Sequence, residues 1–549
     1  MSDNRHERNI DLVKRQFSEG KLDRREFIRY GTLLGMSAAT AYAFAGQPLI
    51  RRAKAEKPQG GTLRIGMRVQ ELREPHALDW VMPSNIVRQV VEYATKTGHD
   101  NVTEPYLVEG WEVSEDLRTW TFTVREGVRW HNGRPLLAED ITWNLEHALD
   151  PATGSSVVGL MEGYMLDRVE RNGEEVHELW DANAIEVIDD RTFRLNLKTP
   201  QVAIPEHLFH YPMFILDPEE GGRFGANSNG TGPFRLVEHQ IGDRAVLEPV
   251  SDYWGEGPYL DQLIFVDLGD DPSAMLAAMA SRQVDGVYEG NVDQIQTYEN
   301  MDHVQIYEAT TAQTAVARGQ VDQEPFTDAR VRKAFRLATD SDRLLELAHA
   351  GLGAPTNHDH VAPVHPDQAD LGRMERDVEE AKRLLEEAGY PDGVDVELNC
   401  KRDPAWELNA AQAMAEQWAE AGIRCRLNVL PSAQYWDHWT TFPFSLTEWT
   451  HRPLGFMVLG LAYRSGVPWN ESNYANPEFD ELLGQAESIL DVDERKEVMA
   501  KLQEIMREDG PIVQPLWRSV YTVYDRRVSG FEMHPTSYLF ANELAIEEA

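Results

Sequence analysis

Cysteine is almost missing from this chain: Cys400 and Cys425 are the only two among 549 residues. Their wide separation excludes a CxxC redox or zinc pair, and so small a number excludes a disulfide scaffold. Two free thiols are the simplest reading, with one disulfide between them as the alternative. Positive charge is also short. Lysine and arginine number 53 against 92 aspartates and glutamates, a net charge of −39, and such a field repels nucleic acid and anionic lipid. No nucleic-acid partner is expected. The common catalytic signatures are absent too: no HExxH places two histidines around zinc, no GxSxG forms a nucleophile elbow and no GxxxxGK[ST] cradles phosphate.

What remains is the composition of a globular α/β protein, 42% apolar and 9% aromatic, long enough for two or three domains. The N-terminal region reads as an address. Arg24 and Arg25 stand in DRREFIR, directly before the apolar run YGTLLGMSAATAYAFA from Tyr30 to Ala45. That run suits a signal-peptide core and is short of the roughly 20 residues a spanning helix needs. The pair resembles a twin-arginine export signal. Ala53-Lys54-Ala55 supplies a small-x-small cleavage pattern, so residues 1–55 are expected to be removed after Ala55. The twin-arginine machinery is then a partner, and the mature chain is expected in the periplasm.

Beyond residue 56 the pattern alternates strand and helix. GGTLRIGM and Trp120–Val124 read as strands by their period of two. His131-Asn132-Gly133 supplies a turn before a helix that starts near Leu137. AIEVIDDRTFRLNLK reads as a strand pair turning at Asp189-Asp190, and two further strands join through Gly242-Asp243. VDVELNC and IRCRLNVL flank the helical AAQAMAEQWAEAG, a βαβ unit whose strands should run parallel. The best metal-like cluster is NHDHVAPVH, with His358, Asp359, His360 and His365. Its proline-containing sequence reads as a solvated loop, and no metal ligand or cofactor is assigned.

Several segments, in order, carry a resemblance: LVEGWEV at 107–113, REGVRWHNGRPLLAED at 125–140, GTGPF at 230–234, DYWGEGPYLD at 252–261, PFTDARVRKAF at 325–335 and NYANPEFDELL at 473–483. On these the chain resembles the family 5 extracellular solute-binding proteins of ABC importers, which take peptides, nickel and related solutes. Locally, Trp130 and Trp254 are expected to be packed aromatics and Gly232 a turn glycine. The resemblance implies a two-lobed, type II periplasmic-binding-protein clamp with an extra subdomain in its first lobe. The implied layout is lobe I at 56–95, 226–310 and 506–549, the extra subdomain at 96–225 and lobe II at 311–505. It also implies a monomer that closes on a small-molecule or short-peptide solute and presents it to a membrane permease and ATPase. No chemistry on the solute is expected. A nickel or metal-chelate carrier using His358, His360 and His451 is the alternative, and an exported enzyme a more distant one.

In peptide-binding members of that family, the segment resembling TEWTHRPLG has a tryptophan followed three residues later by an aspartate for the peptide's α-ammonium group. Here Trp449 matches the tryptophan, but Arg452 takes the aspartate position. The sign of the charge is reversed, so ordinary N-terminal peptide capture is in question and a carboxylate becomes the expected partner. An internal salt bridge is the alternative for Arg452. The other expected ligand contacts are Thr450, His451, Arg318, Trp469 and Asn470. By the same resemblance, the first loop, VQELREPHALDW, also faces the solute.

Overall fold

The computed structural model describes residues 13–17, 27, 31 and 57–547, apart from 100–101, 172–173, 270 and 490. Arg24, Arg25, Ala55 and, except for Gly31, the apolar run lie outside the described residues. Among the described residues, no helix is long and apolar enough to cross a membrane. The chain divides into two compact units. One runs to Gly290 and takes in Gln296–Tyr307 and Thr522–Ala549; the other is Asn291–Ile295 with Glu308–Tyr521.

In the first unit, a sheet places the hairpin Phe234–Gln240 and Arg244–Pro249 beside Gln262–Val266, then Thr62–Gly66 and Gly286–Val287. The hairpin turns at Gly242, whose φ of 74° glycine accepts without strain. Thr62–Gly66 lies parallel to Gln262–Val266, with Leu63 opposite Leu263 and Ile65 opposite Phe265. Alternation buries these four side chains. A second, antiparallel sheet orders Val108–Val113, Thr119–Val124, Thr192–Asn196 and Ile185–Asp189. Trp120, Phe122 and Phe193 stack through its interior.

The segment with the most specific pattern closes this sheet onto the helix Ala138–Leu149. Gly133 turns the chain at φ 90°, and Asp140 then accepts from Trp130 Nε1 at 3.2 Å and from the Leu137 amide at 2.9 Å. Arg134 ties Asp140 to Asp217. Trp130 is therefore a packed aromatic. Trp254 is too, donating at 2.8 Å to the buried Glu92, which also accepts from the Tyr106 and Tyr253 hydroxyls. Burial raises the Glu92 pKa in spite of these donors.

The second unit's sheet orders Val304–Gly319, Phe444–Trp449, Val394–Lys401 and Ile423–Leu430. The last two are parallel, Val394 opposite Ile423 through Lys401 opposite Leu430, and the helix Ala405–Glu420 crosses between them. Their register sets Cys400 opposite Val429 and Cys425 opposite Val396. The cysteines are free thiols, pushed up by burial to about 11 and about 12. Acidic side chains also start this unit's helices. Asp328, Asp340, Asp377 and Asp491 each accept a backbone amide at a helix N-terminus, where a carboxylate also meets the positive end of the dipole. Phe335, Trp418 and Phe444 meet at the centre of its core.

The stretch expected as a solvated loop is a correction. His358, Asp359, His360 and His365 are all buried. His358 Nδ1 accepts the Gln514 amide, Asp359 takes hydrogen bonds from the Val361 amide and Gln503, and His360 Nδ1 lies 2.5 Å from the Tyr463 hydroxyl. Chain elements more than a hundred residues downstream cover the loop. Its own sequence carries no sign of that.

Candidate functional site

The seven residues expected to meet a ligand all fall in the second unit. Trp449 ends the strand Phe444–Trp449, a central position that pairs with Thr314. Its indole donates to Glu471 Oε1 at 3.1 Å. Glu471 Oε2 takes the Thr447 hydroxyl at 2.6 Å and Arg318 Nε at 2.8 Å. The two other guanidinium nitrogens of Arg318 donate to the carbonyls of Phe442 and Trp439. All three guanidinium nitrogens of Arg318 are thus engaged inside the unit, one of them on Glu471. Glu471 is the member of this constellation that sequence reasoning missed. Its only signal is that it directly follows Trp469 and Asn470.

An aromatic wall stands on this support. Trp439, Trp449 and Trp469 meet edge to face with ring centroids 5.8 to 6.4 Å apart, the geometry that aromatic quadrupoles favour. His360 closes on the same indole of Trp449 at 5.8 Å. Asn470 is a turn residue. Its amide donates to the carbonyls of Arg464 and Tyr474 and its oxygen accepts from Ser472 and the Tyr474 amide.

Arg452 lies just past the strand, its side chain nearly closed to solvent. One guanidinium nitrogen donates to the Thr450 hydroxyl at 2.5 Å and to the His451 carbonyl at 3.0 Å. Its own carbonyl accepts from His365 Nε2 at 3.0 Å, and His365 Nδ1 takes the Ala362 amide. These two bonds fix the neutral tautomer of His365. His451 Nδ1 accepts the Ala312 amide at 3.0 Å. Burial, aided by the Arg452 guanidinium, holds His360 down at about 3; burial and nearby arginines hold His358 at about 3 as well.

Among the described residues, His358, His360 and His451 do not come together as a ligand group, and each has its Nδ1 committed to a hydrogen bond. A charged cluster unforeseen in the sequence lies on the neighbouring residue, Glu448. It accepts from Arg518 at 3.0 Å and lies 3.7 Å from Lys401, which pairs with the fully buried Glu407 at 2.9 Å. Burial pushes Glu407 up to about 8 against the pull of Lys401. The first unit, for its part, holds an apolar cavity lined by Ile65, Met67, Tyr288, Tyr524, Phe531 and Met533.

The second unit thus gathers a tryptophan wall on a buried ionic support, with the Arg452 guanidinium bonded to the turn that follows Trp449. Residues 102–462 match the family model described as bacterial extracellular solute-binding proteins, family 5 middle. The dipeptide-binding protein DppE of Bacillus subtilis is 24% identical over 538 residues, covering 93% of this chain and 97% of that protein. Among solved structures, the periplasmic binding protein AgaA of A. tumefaciens R10, in complex with agropinic acid, superposes with a TM-score of 0.79 at 22% identity, covering 89% of this chain and 99% of that one. The periplasmic binding protein DppA of Helicobacter pylori, in complex with the peptide STSA, gives 0.76 at 20% identity over 90% and 99%.

Proposed function

The chain belongs to the bacterial extracellular solute-binding proteins of family 5, and from that premise we propose that it is the substrate-binding component of an ABC importer. It captures a peptide-like or carboxylate-bearing organic solute and delivers it to the permease and ATPase complex of the inner membrane. It is a carrier and makes or breaks no bond in the solute. Its place is the periplasm, reached through the twin-arginine route on the strength of Arg24 and Arg25 before the apolar run, and it works as a monomer. Replacing both arginines by lysine should leave the precursor uncut in the cytoplasm; normal export of that variant would overturn the route.

The observation that carries the choice of solute is the guanidinium of Arg452, three residues after Trp449 and bonded to the turn that follows it. A planar fork suits a carboxylate, and an ammonium there meets a like charge. In this reading Arg452 receives the anionic group, Thr450 orients the guanidinium, and Trp449 and Trp469 cover the apolar part of the solute. His451 lines the same turn, and Arg318 and Asn470 hold the wall in place. Agropinic acid and a peptide, the solutes of the two structural neighbours, are both within the chemistry proposed.

A thermal-shift screen of the purified chain against peptides, amino-acid derivatives, organic acids and opines tests the reading, because a ligand that binds only the folded state raises the melting temperature by mass action. An anionic solute should stabilise the wild type and fail to stabilise Arg452→Asp. Equal stabilisation of both by peptides with free amino termini would make Arg452 structural and leave an ordinary peptide carrier.

A further inference from the structure

Three side chains apart from the tryptophan wall and Arg452 converge in the first unit, two of them on the first loop. Glu74 precedes the short turn Pro75–Ala77, His76 lies within it, and His147 stands in the last turn of the helix Ala138–Leu149. One ligand atom from each lies within 4.8 Å of the other two. This is the one such group among the described residues, in a chain rich in carboxylates.

The second observation is an orphaned nitrogen. His76 is fully buried, and its Nε2 lies 2.8 Å from the Phe214 carbonyl. A carbonyl can only accept, so the proton is on Nε2 and Nδ1 carries a lone pair. That Nδ1 is buried and has no hydrogen-bond partner. Leaving such an acceptor unmet is unfavourable, whereas an imidazole whose far nitrogen donates to a carbonyl is the usual arrangement of a metal-bound histidine.

The surroundings fit an ion. His147 Nε2, itself buried, lies 3.5 Å from Glu74 Oε1, and Trp143 stacks on the imidazole at 4.8 Å and holds its plane. Gly222 closes over the group at φ 79°. A Cβ there would stand 2.5 Å from His147 Nε2 and 3.2 Å from Glu74 Oε2, so only glycine keeps the space open. The side chains of Glu74 and His147 are 35% and 24% exposed, which leaves them room to close to the ~2.0–2.2 Å of zinc–nitrogen and zinc–oxygen bonds.

We propose that Glu74, His76 and His147 bind a divalent first-row transition ion, with zinc the natural match for two imidazoles and a carboxylate, as a resident site that clasps the first loop to the helix Ala138–Leu149. Its ligands share no residue with the tryptophan wall and Arg452, which belong to the second unit.

The test uses the full untagged chain, stripped with a chelator and titrated with ZnCl2 against a chromophoric competitor, beside Glu74→Gln, His147→Gln and the double variant. Both positions are partly exposed, so the variants should fold, and far-UV circular dichroism of the metal-free proteins checks it. One equivalent of zinc should bind the wild type. Each single variant should weaken binding by more than about tenfold, the loss that even an outer-shell partner can cause, and Co2+ should give a d–d absorption band that the double variant lacks. No stoichiometric zinc on the wild type, or equal affinity in the double variant, overturns the proposal. Solute-induced stabilisation should persist in His147→Gln, whose position lies outside the first loop, which keeps this outcome separate from the fate of the carrier reading.

Discussion

Arg318 Nε donates to Glu471 Oε2 at 2.8 Å, and both side chains are almost wholly closed to solvent, at 1% and 3% exposed. The pair joins residues 153 positions apart and carries the indole of Trp449 on its other oxygen. A buried ion pair is a poor source of net stability, but removing one partner strands the other charge. Arg318→Met should therefore destabilise the second unit by about 3–5 kcal/mol. The double variant Arg318→Met with Glu471→Leu should cost clearly less than the two single changes added together. Urea denaturation followed by tryptophan fluorescence measures all three, and simple additivity would show that the two groups do not act as a pair.

The buried histidines set a direction for pH. His358 and His360 are held down at about 3 and His349 at about 4, all chiefly by burial. Each stays neutral in the folded state while the unfolded chain takes up a proton near pH 6.5. The unfolded state thus binds more protons between those values. Stability from these groups rises with pH across that window and is lost as pH falls from 6.5 toward 4, by up to about 1.4 kcal/mol per unit for each histidine. His358→Asn keeps a residue that tolerates the φ of 61° at this position and should flatten the slope by one histidine's share. Urea midpoints at pH 7, 6 and 5 decide it; an identical slope in the variant would rule the mechanism out.

Gly230 offers a backbone test of the GTGPF segment. A Cβ there would stand 1.9 Å from the Val90 carbonyl oxygen, an atom that also accepts the Gly232 amide. The neighbour is main chain and cannot swing aside. Gly230→Ala should cost about 1–3 kcal/mol or more through the forced shift. By contrast, Gly110→Ala, where nothing lies within 4 Å of the added atom, should be far milder. Equal melting temperatures for the two variants would contradict the packing argument.

What could be read from the sequence was local. The Asn132-Gly133 turn, the helix that begins at Ala138 and the parallel strands around Ala405–Glu420 all follow from residues within a few positions of one another. Trp130 was legible as packing because its partner, Asp140, lies in the same segment. The Arg318–Glu471 pair, the burial of His358 by Gln514 and the orphaned nitrogen of His76 were not. Each depends on chain segments distant in sequence, and nothing in a histidine-rich or acidic stretch announces which segment will cover it. Asn470 was equally opaque: its side chain bonds the carbonyls of Arg464 and Tyr474 within its own turn, which its residue type alone does not show.

Arg452 separates two kinds of solute by charge, and substitutions can reverse the choice. Peptides with an N-succinyl cap present a carboxylate where free peptides present an ammonium, so the wild type should bind the capped series more tightly. Arg452→Lys keeps the charge but loses the planar fork that grips two oxygens at once; on neutral-hydrogen-bond magnitudes of about 1 kcal/mol it should lose roughly three- to tenfold in affinity for the capped peptides. Arg452→Asp should do more than abolish that binding. It restores the sign that suits an ammonium, so free peptides should gain while capped ones meet a like charge, a swing of several kcal/mol and hence more than about a hundredfold in relative affinity. Titration calorimetry on both peptide series reads the swing. If both variants bind the two series in the wild-type ratio, the guanidinium does not touch the solute. Its bonds to Thr450 and His451 then serve only to shape the turn after Trp449.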